Sequence, residues 1–181
     1  MSAFFQIGPR RVGEGEPCFI IAEAGVNHNG DLALARQLID AAATAGADAI
    51  KFQTFRADRL VSATAPKADY QKAATSAAES QHAMLRRLEL DESAHQALQQ
   101  HATERGIAFL STPFDEASAD LLAAMRIPAF KVSSGELTNL PFLAHLARHG
   151  LPIILSTGMA TLDEARAAVA AISGVPIALL Q

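Results

Sequence analysis

The sequence predicts an α/β protein built on a parallel sheet, and three observations predict it. Short apolar runs recur, each ending in or followed by polar residues: CFIIAEAG, DAIKFQT, IAFLSTP, AFKVSSGE, PIILSTG and PIALLQ. Stretches of helical periodicity with legible start and stop signals lie between them, the alternation that βαβ units produce. The chain has 181 residues and is 50% hydrophobic, enough for one domain with a substantial core and too little for two.

Taken in order, the first run delivers Glu23 and Gly25 and leads into Asn27, His28, Asn29 and Gly30, where Asn-Gly is itself a turn signal. Asp31 then caps LALARQLIDAAATA. Its Leu34, Leu38, Ile39 and Ala42 share one stripe, and Gly46 stands where a C-terminal glycine belongs. After the second run, the connection from Thr54 to about Asp91 carries helical material but is too long for a simple link, so it is a candidate lid or substrate loop. Asp91 opens a helix that Gly106 ends. EASADLLAAM follows STPFD and halts before Pro128, and NLPFLAHLARHG ends at Gly150. Thr161 and Glu164 have the spacing of a capping box at the head of LDEARAAVAAIS. The sixth run starts at Pro176 and reaches Gln181. Six parallel strands fit two architectures: a complete open sheet, or a TIM-type β/α barrel, which has eight strands and about 250 residues, truncated after about six.

Composition excludes several function classes. The formal net charge is -4 with no block of like charge, which argues against a nucleic-acid surface or a polybasic membrane anchor. In MSAFFQIGPRRVGEGEPC the arginines follow the short apolar stretch, so it does not read as a signal peptide. No run approaches the roughly 20 apolar residues that span a bilayer. A single cysteine, Cys18, rules out an internal disulfide framework and fits a reducing, cytoplasmic setting. Without a positioned partner, it reads as a small core residue.

In sheets with helical crossovers, ligands collect at the carboxyl ends of the strands. This chain places Glu23, Lys51, Gln53, Ser111, Thr112, Lys131, Ser133, Ser134, Glu136, Ser156 and Thr157 there. Side chains alternate along a strand, so Lys51 and Gln53 share one face, Lys131 and Ser133 share one face, and two lysines converge on one mouth. Strand-end serines and threonines often serve only as helix caps, the reading that suits Thr161 and Thr157. Buried lysines demand a partner: either Lys51 and Lys131 pair with Glu23 and Glu136, or they hold an anion. Spacing leaves both open. His28 reads as a loop-shaping residue, and His82, His95, His101, His145 and His149 show no metal-ligand spacing such as H-E-x-x-H. Walker, G-x-G-x-x-G and G-x-S-x-G motifs are absent.

IIAEAGVNHNGD, AGADAIKFQTF, FLSTPFD, KVSSGE and ILSTGMAT, in that order, resemble the N-terminal part of the sialic acid synthases, the family of N-acetylneuraminate, legionaminate and pseudaminate synthases. The resemblance runs from Phe19 to nearly the end. It implies a β/α barrel of which residues 1–181 are the N-terminal portion, without strands seven and eight or an antifreeze-like C-terminal domain. It implies condensation of phosphoenolpyruvate with an N-acyl hexosamine, giving a nine-carbon 2-keto sugar acid and phosphate. Carried over by position, Lys51 and Lys131 would clamp the phosphate and carboxylate, with Thr112, Ser134 and Ser156 as neutral donors. Glu23 and Glu136 would be the catalytic carboxylates, and Gln53 would hydrogen-bond substrate. A divalent metal (Mn or Mg) is implied, with ligands outside this chain, as is a homodimer. KVSSGE stands where many relatives have K-I-x-S-G-E, and KAATSAAES, after Tyr70, stands where many carry an asparagine. A Schiff-base aldolase using Lys131, or a non-catalytic fragment, are the alternatives.

Overall fold

In the computed structural model of the chain, residues 4–62, 65 and 80–181 are described. The expected lid between Thr54 and Asp91 falls partly outside them, Tyr70 and nearly all of KAATSAAES included. The hairpin strands β1 (Phe4–Ile7) and β2 (Arg10–Gly13) pair antiparallel. Strands β3 (Ile21–Gly25), β4 (Ala49–Thr54), β5 (Ala108–Pro113), β6 (Phe130–Val132), β7 (Ile153–Ser156) and β8 (Ile177–Leu180) form one parallel sheet. The helices are α1 (Leu32–Thr44), α2 (Ala57–Leu60), α3 (Gln81–Leu88), α4 (Glu92–Glu104), α5 (Glu116–Ala124), α6 (Leu140–Ala147) and α7 (Leu162–Ala171).

Strand order decides between the two architectures. A doubly wound sheet reverses at a switch point, whereas here each of the six strands pairs with the next in sequence, β3 through β8. Among the described residues, helices cover one face only. Phe52, Phe109 and Phe130 of the strands pack with Ile39 of α1, Leu98 of α4 and Leu143 of α6. The opposite face carries Ala49, Leu110, Ala129 and Ile154, a cluster without a helical member. This is the winding of a TIM-type barrel, present as a partial barrel of six strands.

Local chemistry explains the helix boundaries. Asp31 accepts hydrogen bonds from the Ala33 and Leu34 amides, Asp91 from Ala94, and Asp115 from Ser118, each satisfying orphan amide groups of a first turn. Thr161 and Glu164 form the full reciprocal capping box. Thr157, read as a cap, instead donates from its hydroxyl to the Leu180 carbonyl at 3.0 Å and so fastens β7 to β8.

The hairpin has no counterpart in the sequence reading, which took this segment only as a non-leader. Its Ile7 is buried among Ala49, Leu110, Ala129 and Ile154, so it plugs the barrel interior near the N-terminal ends of the strands. Arg10 pairs with Asp48, whose other oxygen accepts the Ile20 amide at 2.8 Å. Cys18 is exposed, contrary to the core reading, because β3 begins only at Ile21. The fourth predicted run is also shorter than read. It ends as a strand at Val132, and Ser133 caps a 3-10 turn, Ser134–Glu136, by accepting from the Gly135 amide at 3.3 Å.

Candidate active site

The site is assembled by alternation. In β4, Phe52 and Thr54 turn to the helices while Lys51 and Gln53 turn to the barrel interior; β5 repeats this with Phe109 and Ser111 against Leu110 and Thr112. Ser111, a strand-end residue in sequence, therefore belongs to a buried outer chain. Its hydroxyl lies 2.7 Å from Thr54 Oγ1, which meets His95 Nε2 at 2.8 Å, while His95 Nδ1 donates to the Asp91 carbonyl at 2.9 Å.

On the inner face, Lys51 is 6% exposed and its Nζ lies 2.7 Å from Glu23 Oε2 and 3.3 Å from Thr112 Oγ1. Lys131 is 9% exposed and donates to Ser156 Oγ at 2.7 Å and to the Val132 carbonyl at 2.9 Å. An ammonium has three protons, so each lysine retains one unspent among these contacts. Lys131 has no carboxylate partner among the described residues. Burial, with the Lys51 charge nearby, lowers its pKa from 10.5 to about 8, against a smaller opposing pull from Glu23. Of the two options for the lysines, Lys51 takes the ion pair and Lys131 does not. Glu136 instead accepts from the Asn139 amide group at 2.9 Å.

Two glycines shape the mouth. A β-bulge at Glu23 and Gly25 re-aims the end of β3. At Gly25, φ is 53°, and an added Cβ would stand 3.1 Å from Glu23 Oε1 and 3.7 Å from Gln53 Nε2. At Gly30, a Cβ would stand 2.2 Å from the Arg87 carbonyl oxygen, so the loop after β3 is pressed against α3. His28 between them is fully buried. Its Nδ1 accepts the Gly30 amide at 3.0 Å, and its Nε2 has no partner among the described residues. Burial and then the nearby His95 lower its pKa, so the ring is neutral. Ser134 packs beside the chain at Gly158, where a Cβ would lie 3.8 Å from its hydroxyl.

At this mouth the carboxylates are engaged by Lys51 and Asn139, and no three metal-ligating atoms converge among the described residues. The mouth does not by itself fit a divalent metal. Three such atoms do converge elsewhere, from Asp120, His145 and His149, all within 4.8 Å. The sequence reading missed this group. The legible signal was the four-residue spacing of the two histidines in HLARH. A cavity of about 490 Å³ lies at the opposite pole, lined in part by Ile7, Arg10, Asp48 and Arg126, and holds none of the predicted site residues.

Fold and mouth define a β/α-barrel protein that gathers two lysines and neutral donors at the carboxyl ends of its strands. The profile of the NeuB family matches residues 38–181, and the chain belongs to that family. It is 52% identical over 163 residues to the N,N'-diacetyllegionaminic acid synthase of Legionella pneumophila, covering 90% of this chain and 45% of that one. It is 37% identical to human N-acetylneuraminate-9-phosphate synthase, covering 85% and 43%. The crystal structure of N-acetylneuraminic acid synthetase from Leptospira borgpetersenii, in complex with citrate, superposes with a TM-score of 0.84 at 31% identity, over 99% of this chain and 59% of that one. The chain thus spans less than half the length of the curated relatives it matches. Among the described residues no helix is long and apolar enough to cross a membrane.

Proposed function

We propose that this chain is the N-terminal portion of a cytoplasmic, homodimeric synthase that condenses phosphoenolpyruvate with an N-acyl amino sugar to a nine-carbon 2-keto sugar acid and phosphate. The observation that carries the reading is Lys131, a buried cation without a carboxylate partner among the described residues, beside a second lysine that keeps one donor unspent. Relatives named for legionaminic, neuraminic and pseudaminic acid synthesis support a nonulosonic acid product.

Lys51 and Lys131 hold the phosphate and carboxylate, with Thr112, Ser134 and Ser156 as preorganised donors that stabilise charge without rearranging. The enol carbon attacks the sugar aldehyde; a carbon–carbon bond forms and the aldehyde oxygen takes a proton. Water then adds at the carbon bearing phosphate, and that carbon–oxygen bond breaks. Glu23, re-aimed by the bulge, and Glu136, on its 3-10 turn, are the groups that hold water or move these protons. Gln53, whose side-chain amide faces the mouth beside Gly25, orients substrate. The divalent metal, Mn or Mg, takes its ligands from outside this chain, and no step here is routed through it.

The depressed pKa of Lys131 favours one rival, a Schiff-base aldolase. The full-length gene product, given phosphoenolpyruvate, a divalent metal and N-acyl hexosamines, is expected to release one phosphate per sugar acid. No phosphate release with any such sugar, or borohydride trapping of pyruvate on Lys131, would overturn the synthase reading.

A further inference from the structure

The geometry points to a second metal site, for zinc or a similar transition ion, on the outer surface of the barrel, formed by Asp120 of α5 with His145 and His149 at the end of α6. Asp120 Oδ1 lies 2.6 Å from His145 Nε2 and 3.1 Å from His149 Nε2, so three ligand atoms already point at one small volume. Two imidazoles and a carboxylate with an open position suit zinc, cobalt or nickel rather than magnesium or calcium, which prefer all-oxygen shells.

The rings are held in place before any ion arrives. His145 and His149 side chains are only 13% and 24% exposed, their rings stand edge to face with centroids 5.3 Å apart, and His149 packs on Phe130 at 5.7 Å. The helix tightens as it ends. Arg148 and His149 donate their amides to the His145 and Leu146 carbonyls, three residues back, before Gly150 ends the helix. Phe130 opens β6, so the cluster sits near the N-terminal pole of the strands, remote from the mouth.

One contact competes. The Arg148 guanidinium, which can only donate, approaches His145 Nδ1 at 2.6 Å, so the ring proton lies on Nε2, facing Asp120. Zinc takes the place of that proton, Nδ1 becomes protonated, and the exposed Arg148 swings away. The bound ion staples α5 to the end of α6. It is independent of any metal used at the mouth.

The test is equilibrium dialysis of the chelator-treated full-length gene product against buffered sub-micromolar Zn²⁺, with metal counted per chain. The parent and Arg148→Ala, in which the competing contact is gone, are compared with His149→Ala and Asp120→Asn. The last keeps the shape and a hydrogen-bonding group while removing the anionic ligand. The site predicts one zinc fewer per chain in both ligand variants, and a zinc-induced rise in melting temperature that they lose. A metal bound at the mouth adds equally to all four proteins. Equal zinc content in His149→Ala, Asp120→Asn, the parent and Arg148→Ala would overturn the proposal.

Discussion

Lys131 keeps a charge at neutral pH against both burial and the field of Lys51. Its folded pKa, about 8, lies below the ordinary 10.5, so the unfolded chain binds more protons between those values and the charged lysine is a net cost to stability below about pH 8. That cost is relieved as pH rises, while the cation proposed to hold an anionic substrate is lost. For the full-length enzyme, kcat/KM for phosphoenolpyruvate is therefore expected to hold up to about pH 8 and then to fall about tenfold per unit, measured across a pH series. Lys131→Met is expected to raise KM by about 10- to 100-fold, equivalent to about 1.5–3 kcal/mol for a lost charged hydrogen bond, with an unchanged or higher melting temperature. Gly25→Ala tests the bulge: its methyl presses on Glu23 at a positive φ. It is expected to lower kcat with a smaller effect on the KM for phosphoenolpyruvate, and steady-state kinetics separate the two.

At the scale of elements, the sequence carried the helix boundaries well, because caps are local chemistry. Asp31, Asp91 and the Thr161–Glu164 box act where they were read. Thr161→Ala is expected to cost about 1 kcal/mol in chemical denaturation. The hairpin was illegible for the opposite reason. Its strands have four residues each, and their meaning lies in a distant contact, Ile7 against the inner faces of the sheet. Gly8-Pro9 was a turn signal, yet nothing nearby said what the turn would cover. Ile7→Ala is expected to destabilise by about 2–4 kcal/mol, read from the same denaturation curves, with substrate affinity little changed because the mouth lies at the other pole. The group of Asp120, His145 and His149 likewise joins two elements, and only the histidine spacing was visible beforehand.

For the whole molecule, the number of parallel strands was legible in the alternation, while the barrel winding was legible only through the family resemblance, since six alternating units by themselves suit an open sheet and a partial barrel equally. Consecutive pairing from β3 to β8 resolves it, and that pairing is a property of non-local hydrogen bonds. Which lysine pairs with what was equally beyond spacing: Lys51 with Glu23, and Lys131 with no carboxylate among the described residues. Phosphoenolpyruvate binding by this lysine pair is the step on which the proposed function rests. Its most direct test is calorimetric titration of phosphoenolpyruvate into the full-length gene product near pH 7 and near pH 9.5, either side of the Lys131 pKa of about 8, repeated with Lys131→Met. Binding at least about tenfold weaker is expected at the higher pH and in the variant, a difference of about 1.4 kcal/mol or more. Equal affinity in all four titrations would contradict it.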